Sequence, residues 1–175
     1  MGERQPLALD ANIIIVSFEL NVWEPLSERF DVVVTRTIIN IEACFFKRDN
    51  RIIPILESEF DVCTVIDPDA KELSEITSYL DDIVLKNMDP GEREILALAK
   101  ASRLPDGCRI CSSDGPAIHG LALLGLADWS VSFESLLKEI GYTKNLDYQF
   151  TEAFRKVKVA QGQQDKIQGV GVRKP

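Results

Sequence analysis

The sequence predicts an α/β fold in three layers, with a central, mostly parallel sheet of about five strands between helices. Two observations predict it. Short apolar or β-branched runs alternate along the chain with longer stretches of helical periodicity, and turn-forming residues stand at most of the joints. The length, 175 residues, is enough to bury one sizeable core and short for two.

Leu7, Ala8 and Leu9 read as a buried strand that runs into Asp10, and the apolar positions from Ile13 to Val16, continued by Phe18 and Leu20, read as a helix. Val32, Val33, Val34 and Thr35 form a second, β-branched strand. The positions Ile38, Ile41, Ala43, Phe45 and Phe46 then fit a helix buried on much of its surface, which carries Glu42 about one turn in. Residues 51–56 are ambiguous, because Pro54 opposes a central strand. Residues 62–66 read as the third strand, ending before Asp67-Pro68, and Leu73, Ile76, Tyr79, Leu80, Ile83 and Val84 recur at helical spacing.

Asp89-Pro90-Gly91-Glu92 opens the next helix, whose apolar positions are Ile95, Leu96, Leu98 and Ala99. Residues 108–111 form a short fourth strand. Ser112-Ser113-Asp114 then turns into a helix carrying Ile118, Leu121, Ala122 and Leu124, and residues 129–133 form a fifth strand before Leu136, Leu137 and Ile140. From about Asn145 the pattern changes. Residues 1–144 are expected to form the domain, and residues 145–175 one more helix around Tyr148, Phe150, Phe154 and Val157, with a polar, flexible tail over 161–175.

No secretory signal opens the chain and no apolar run approaches the roughly 20 residues of a membrane span, so a cytoplasmic protein without membrane association is expected. In such a compartment Cys44, Cys63, Cys108 and Cys111 are expected as free thiols; a single C-x-x-C is weak evidence for zinc. The one histidine, His119, lies among Gly, Ala and Leu and reads as structural. The net charge of −8 excludes an ordinary basic nucleic-acid-binding module. Positive charge is nevertheless clustered at Lys47, Arg48 and Arg51, and again at Arg155, Lys156, Lys158, Lys166, Arg173 and Lys174.

Asp10, Asp114 and Glu92 are expected on the rim beyond the carboxyl ends of the strands, where open α/β sheets bind ligands, and Glu42 within reach of it. Each has a plain structural reading too. Asp89, Pro90 and Glu92 fit a capping box, Asp114 fits an N-cap, and Glu42 could face solvent. Clustered carboxylates repel, by roughly 4 kcal/mol per pair at about 4 Å and an effective dielectric near 20, and a cation relieves this. Carboxylate oxygens suit magnesium or manganese.

Four segments together carry a family resemblance. Leu-Ala-Leu-Asp10-Ala-Asn12 resembles the opening strand of PIN domains, and Thr-Arg-Thr-Ile-Ile-Asn-Ile-Glu42-Ala their second acidic motif. Gly91-Glu92-Arg-Glu-Ile-Leu-Ala-Leu-Ala is similar to the third, in a register that selects Glu92 over Glu94, and Ile-Cys-Ser112-Ser-Asp114 to the fourth. The resemblance spans roughly residues 5–140. It implies a divalent-metal-dependent endoribonuclease using Mg2+ or Mn2+, with Asp10, Glu42, Glu92 and Asp114 as the catalytic acids. Of these, Asp10, Glu92 and Asp114 would be metal ligands, and Asn12 and Ser112 supporting hydrogen-bonding residues. Lys47, Arg48 and Arg51 are the candidate RNA phosphate contacts. RNA, an antitoxin or other protein, and a second copy of the chain are the implied partners. The alternative is a catalytically inactive PIN-like RNA-binding or assembly module.

Overall fold

The computed structural model describes residues 4–173; the expectation for the tail's last two residues lies outside them. Five strands form one parallel sheet in the order β5-β2-β1-β6-β7, with helices on either side, an α/β/α arrangement. The strands are β1 (Gln5–Leu9), β2 (Phe30–Val34), β5 (Thr64–Val65), β6 (Arg109–Cys111) and β7 (Ser130–Val131). Leu7, Ala8 and Leu9 have no exposure at all, as a central parallel strand covered on both faces requires.

Helices α1 (Ala11–Glu19) and α2 (Trp23–Arg29) connect β1 to β2, leading the chain one way across the sheet. Helices α3 (Ala70–Tyr79), α4 (Asp82–Lys86) and α5 (Pro90–Lys100) bring it back from β5 to β6, and α6 (Gly115–Leu124) carries it on to β7. Right-handed crossovers put these two groups of helices on opposite faces. The direction reverses between β1 and β6, so their carboxyl ends flank the crevice where such sheets take ligands.

Four expectations are corrected. The helix expected over residues 38–46 is a single π-helical turn, Ile38–Glu42, followed by strand β3 (Phe45–Arg48). This strand pairs antiparallel with β4 (Arg51–Pro54), settling the ambiguous segment as the second arm of a hairpin. Asp49 and Asn50 at φ 49° and 59° make its two-residue turn, and Pro54 closes the free edge of the pair. Lys47, Arg48 and Arg51 therefore sit on a hairpin rather than after a helix.

The helix expected through Leu73 and Val84 is broken in two. Leu80 is extended (φ −83°, ψ 145°) and bridges Val172, and Asp81 caps α4 through its bond from the Val84 amide (2.9 Å). The last helix is longer than expected: α8 (Glu152–Gln168) runs well past residue 161 and lies along α6. Gly162 makes this contact, because a Cβ there would stand 2.6 Å from both the Ala122 methyl and the His119 carbonyl oxygen. His119 Nε2 meets Asp165 Oδ2 across the same seam at 2.8 Å. Helix α7 (Phe133–Glu139) links β7 to this last part of the chain, and no described helix is long and apolar enough to cross a membrane.

Candidate active site

Asp10 is the first residue after the central strand, and its backbone continues the ladder by donating to the Cys111 carbonyl (3.2 Å). Its Oδ1 caps α1, accepting from the Ile13 amide at 2.8 Å. Its Oδ2 accepts from the Ser112 hydroxyl at 2.5 Å and from the Ser113 amide at 3.1 Å. The carboxyl is 2% exposed, and burial outweighs these three donors, so its pKa is pushed up to about 6.

Ser112 links two acids, since the oxygen that donates to Asp10 also accepts from the Asp114 amide (3.0 Å). Asp114 is the N-cap of α6, accepting from the Ala117 amide at 3.0 Å. Half-buried, its carboxyl is raised above the ordinary range chiefly by burial and next by the charge of Asp89; Lys158 opposes the shift.

Glu92 enters from α5. Its Oε2 turns back to accept from the Asp89 amide (3.0 Å), as a capping glutamate does. It is 4% exposed and lines one small buried cavity with Asp10 and Ser112. Burial, followed by the charges of Asp114 and Asp10, pushes its pKa up to about 9. A carboxyl at that value holds its proton at neutral pH. Three acids from distant stretches of chain thus share one electrostatic neighbourhood.

Glu42 stands at the flank. Its Oε1 accepts from the Gly91 amide (2.9 Å), and burial raises its carboxyl, with Asp89 and Glu94 adding to the shift. A Cβ on Gly91 would overlap Glu42 Oε2 and stand 2.6 Å from Ile38 Cγ1, so only glycine lets the turn approach α5 this closely. Asn12, Glu42, Asp89 and Glu92 border a cleft of about 280 Å³ outside the inner cavity. Glu92 is common to both.

The basic cluster is elsewhere. Arg48 donates to the Phe18 carbonyl (2.5 Å) near the carboxyl end of α1, whereas Asp10 caps its amino end. Eight residues of helix separate those points, roughly 12 Å at 1.5 Å per residue. Sequence reasoning also missed contributors. Asp89, read only as a cap, adds negative charge near Glu42, Glu92 and Asp114. Glu94, read as solvated, is half-buried and accepts from the Thr37 hydroxyl at 2.7 Å. Lys158 reaches the start of α6 from α8, a helix the sequence reading cut short. The signal for Asp89 was its place three residues before Glu92; for Lys158 no local signal exists.

The donor chemistry fits a hard divalent cation: Asp10, Glu92 and Asp114 offer only carboxylate oxygen, and a bound cation would oppose the burial that chiefly raises all three. The arrangement is partial. Among the described residues no three His, Cys, Asp or Glu side chains stand together so as to hold a metal ion, and Glu92 is turned onto the Asp89 amide. Magnesium sites commonly take one or two carboxylates and complete themselves with water and substrate phosphate. Comparison with models of known protein families, with curated proteins and with solved structures found no match to this chain.

Proposed function

We propose that this chain is a divalent-metal-dependent endoribonuclease of the kind its PIN resemblance implies, working in a cytoplasmic, RNA-containing compartment. The observation that supports this reading is the electrostatic neighbourhood that Asp10, Glu92 and Asp114 share near the point where the sheet reverses direction, with Ser112 joining Asp10 and Asp114. Asp10, Glu92 and Asp114 would hold Mg2+ or Mn2+. Bound there, the cation would supply Lewis-acid polarisation of a phosphate and ease the deprotonation of water.

The chain's own groups prepare the site. Ser112 and the Ser113 amide fix Asp10, and the Ala117 amide fixes Asp114, so neither carboxyl needs to be ordered when substrate arrives. Glu92, neutral at pH 7, reduces repulsion among the acids while the site is empty of positive charge. Glu42 keeps one oxygen on the Gly91 amide and borders the outer cleft beside Asn12, an acceptor where an RNA strand would enter.

The test is cleavage of a fluorescently labelled RNA by the purified chain with Mn2+ or Mg2+ against EDTA. Asp10→Asn and Asp114→Asn should each lower the rate by at least about a hundredfold, the order seen when transition-state electrostatics are removed. Activity indifferent to metal, or undiminished in both variants, rules the proposal out.

A second reading has its own observation. Each of the four acids already accepts from a backbone amide, a structural task sufficient to explain it. On that reading the chain is a catalytically inactive PIN-like module that binds RNA or assembles with a protein, such as an antitoxin or a second copy. The same variants would then change stability, with no metal-dependent cleavage to lose.

A further inference from the structure

Lys158 is the one lysine of α8 that turns inward to the acidic end of the molecule. Its Cε and Nζ would stand 2.9 and 3.5 Å from a Cβ on Gly115, the residue after Asp114. Lys158 lines a cavity of about 230 Å³ with Ile83, Val84 and Pro116 and with the polar side chains of Asn87, His119 and Gln161. Its contacts there are weak: a bond to Gln161 Oε1 at 3.3 Å and the Phe154 ring at 5.6 Å. Among the described residues it forms no ion pair, a state it shares with most of the other lysines and arginines.

A cation in that place is poorly served by the protein itself. It lies against the first residue of α6, where the helix dipole is positive. Asp114 offsets this, but its Oδ1 is committed to the Ala117 amide and its own ionisation is opposed by burial. A lysine held beside an open cavity, near a helix start and without a carboxylate partner, matches an anion arriving from outside. The chain as a whole, at −8, otherwise repels a polyanion.

We propose that Lys158 contacts a phosphate of single-stranded RNA in this cavity, beside the start of α6 that Asp114 caps. The proposal rests on the nuclease reading for its choice of ligand, and it makes the C-terminal helix part of the substrate site. Lys158 holds the strand by charge; it has no part in the chemical step. Arg48 of the hairpin is anchored near the end of α1 opposite the one that Asp10 caps.

The experiment uses the full chain and a fluorescein-labelled 12-nucleotide RNA of mixed sequence. Binding is followed by anisotropy in EDTA over a salt series, and cleavage separately in Mn2+. Lys158→Met keeps the aliphatic packing on Gly115 and removes the charge; Lys158→Arg keeps the charge; Lys156→Met removes an exposed charge from the same helix, two residues away. Lys158→Met should weaken binding about tenfold, as for loss of one charge-assisted contact, and should flatten the dependence of log K on log salt by roughly 0.7. In cleavage it should raise KM with kcat kept. Lys158→Arg should restore both, and Lys156→Met should have little effect.

Binding by Lys158→Met at wild-type strength, or an equal loss in Lys156→Met, overturns the proposal while leaving metal-dependent cleavage intact. Loss of kcat with binding and salt slope unchanged also overturns it. Binding that depends on Lys158 in a wild-type chain that never cleaves supports the phosphate contact and removes the nuclease reading instead. Failure of the wild-type chain to bind the RNA at low salt overturns the contact. Should Lys158→Met fail to fold, the wild type against Lys158→Arg and Lys158→Gln decides by the same salt slopes.

Discussion

Glu92→Gln changes one proton and little else. The amide oxygen of glutamine can still accept from the Asp89 amide, which Glu92 Oε2 now does at 3.0 Å, so the cap is kept. The charge is what differs. Folding raises the glutamate from its ordinary 4.5 to about 9, so between those values the folded chain holds a proton that the unfolded chain has released. Stability due to this group is therefore full below pH 4.5 and is lost as pH rises towards 9. Each pH unit in that window costs about 1.4 kcal/mol, giving roughly 3 kcal/mol by pH 7. Glutamine does not titrate, so Glu92→Gln should be more stable than the wild type in EDTA by a few kcal/mol at pH 7, and the gap should shrink to near zero at pH 4.5. Urea denaturation of both chains at four pH values measures it. A gap that does not grow with pH would show that Glu92 is not held neutral by burial and by Asp114 and Asp10.

Ser112→Ala removes the hydroxyl that donates to Asp10 and accepts from the Asp114 amide, leaving both partners short. A loss of about 1–3 kcal/mol is expected by denaturation, larger at pH 8 than at pH 5, because the bond favours the ionised form of an acid whose pKa is about 6. Gly91→Ala should cost about 1–3 kcal/mol, since its methyl displaces Glu42 and Ile38; a small gain in melting temperature would contradict that packing. Gly162→Ala sets a helix-propensity gain of about 1 kcal/mol against overlap with Ala122 and the His119 carbonyl. Net destabilisation is expected, and faster hydrogen exchange along α8 checks that the helix has lifted from α6. Mn2+ should raise the melting temperature of the wild type more at pH 8 than at pH 5, where protons compete for Asp10 and Glu92, and should leave Asp10→Asn unmoved.

The sequence by itself determined the alternation of strands and helices and the positions of Asp10, Asp114, Asp89 and Glu92 at their joints. Those are short-range matters: an apolar run ending in an acid, a proline and a glycine at a helix start, acids at cap spacing. It misjudged residues 38–46, where Ile38, Ile41, Phe45 and Phe46 mimic helical spacing although Asp49-Asn50 signals a hairpin turn. It also ended the last helix too soon, because residues 161–175 are polar and glycine-rich, and the close approach of Gly162 to Ala122 and His119 that seats this helix is not visible locally.

Tertiary structure alone decided what the acids experience. Glu42 is tied to an amide 49 positions away, Ser112 to a carboxyl 102 positions back, and Lys158 lies on Gly115. Charge and desolvation act through space, and local pattern carries no information about which distant groups will share a buried volume.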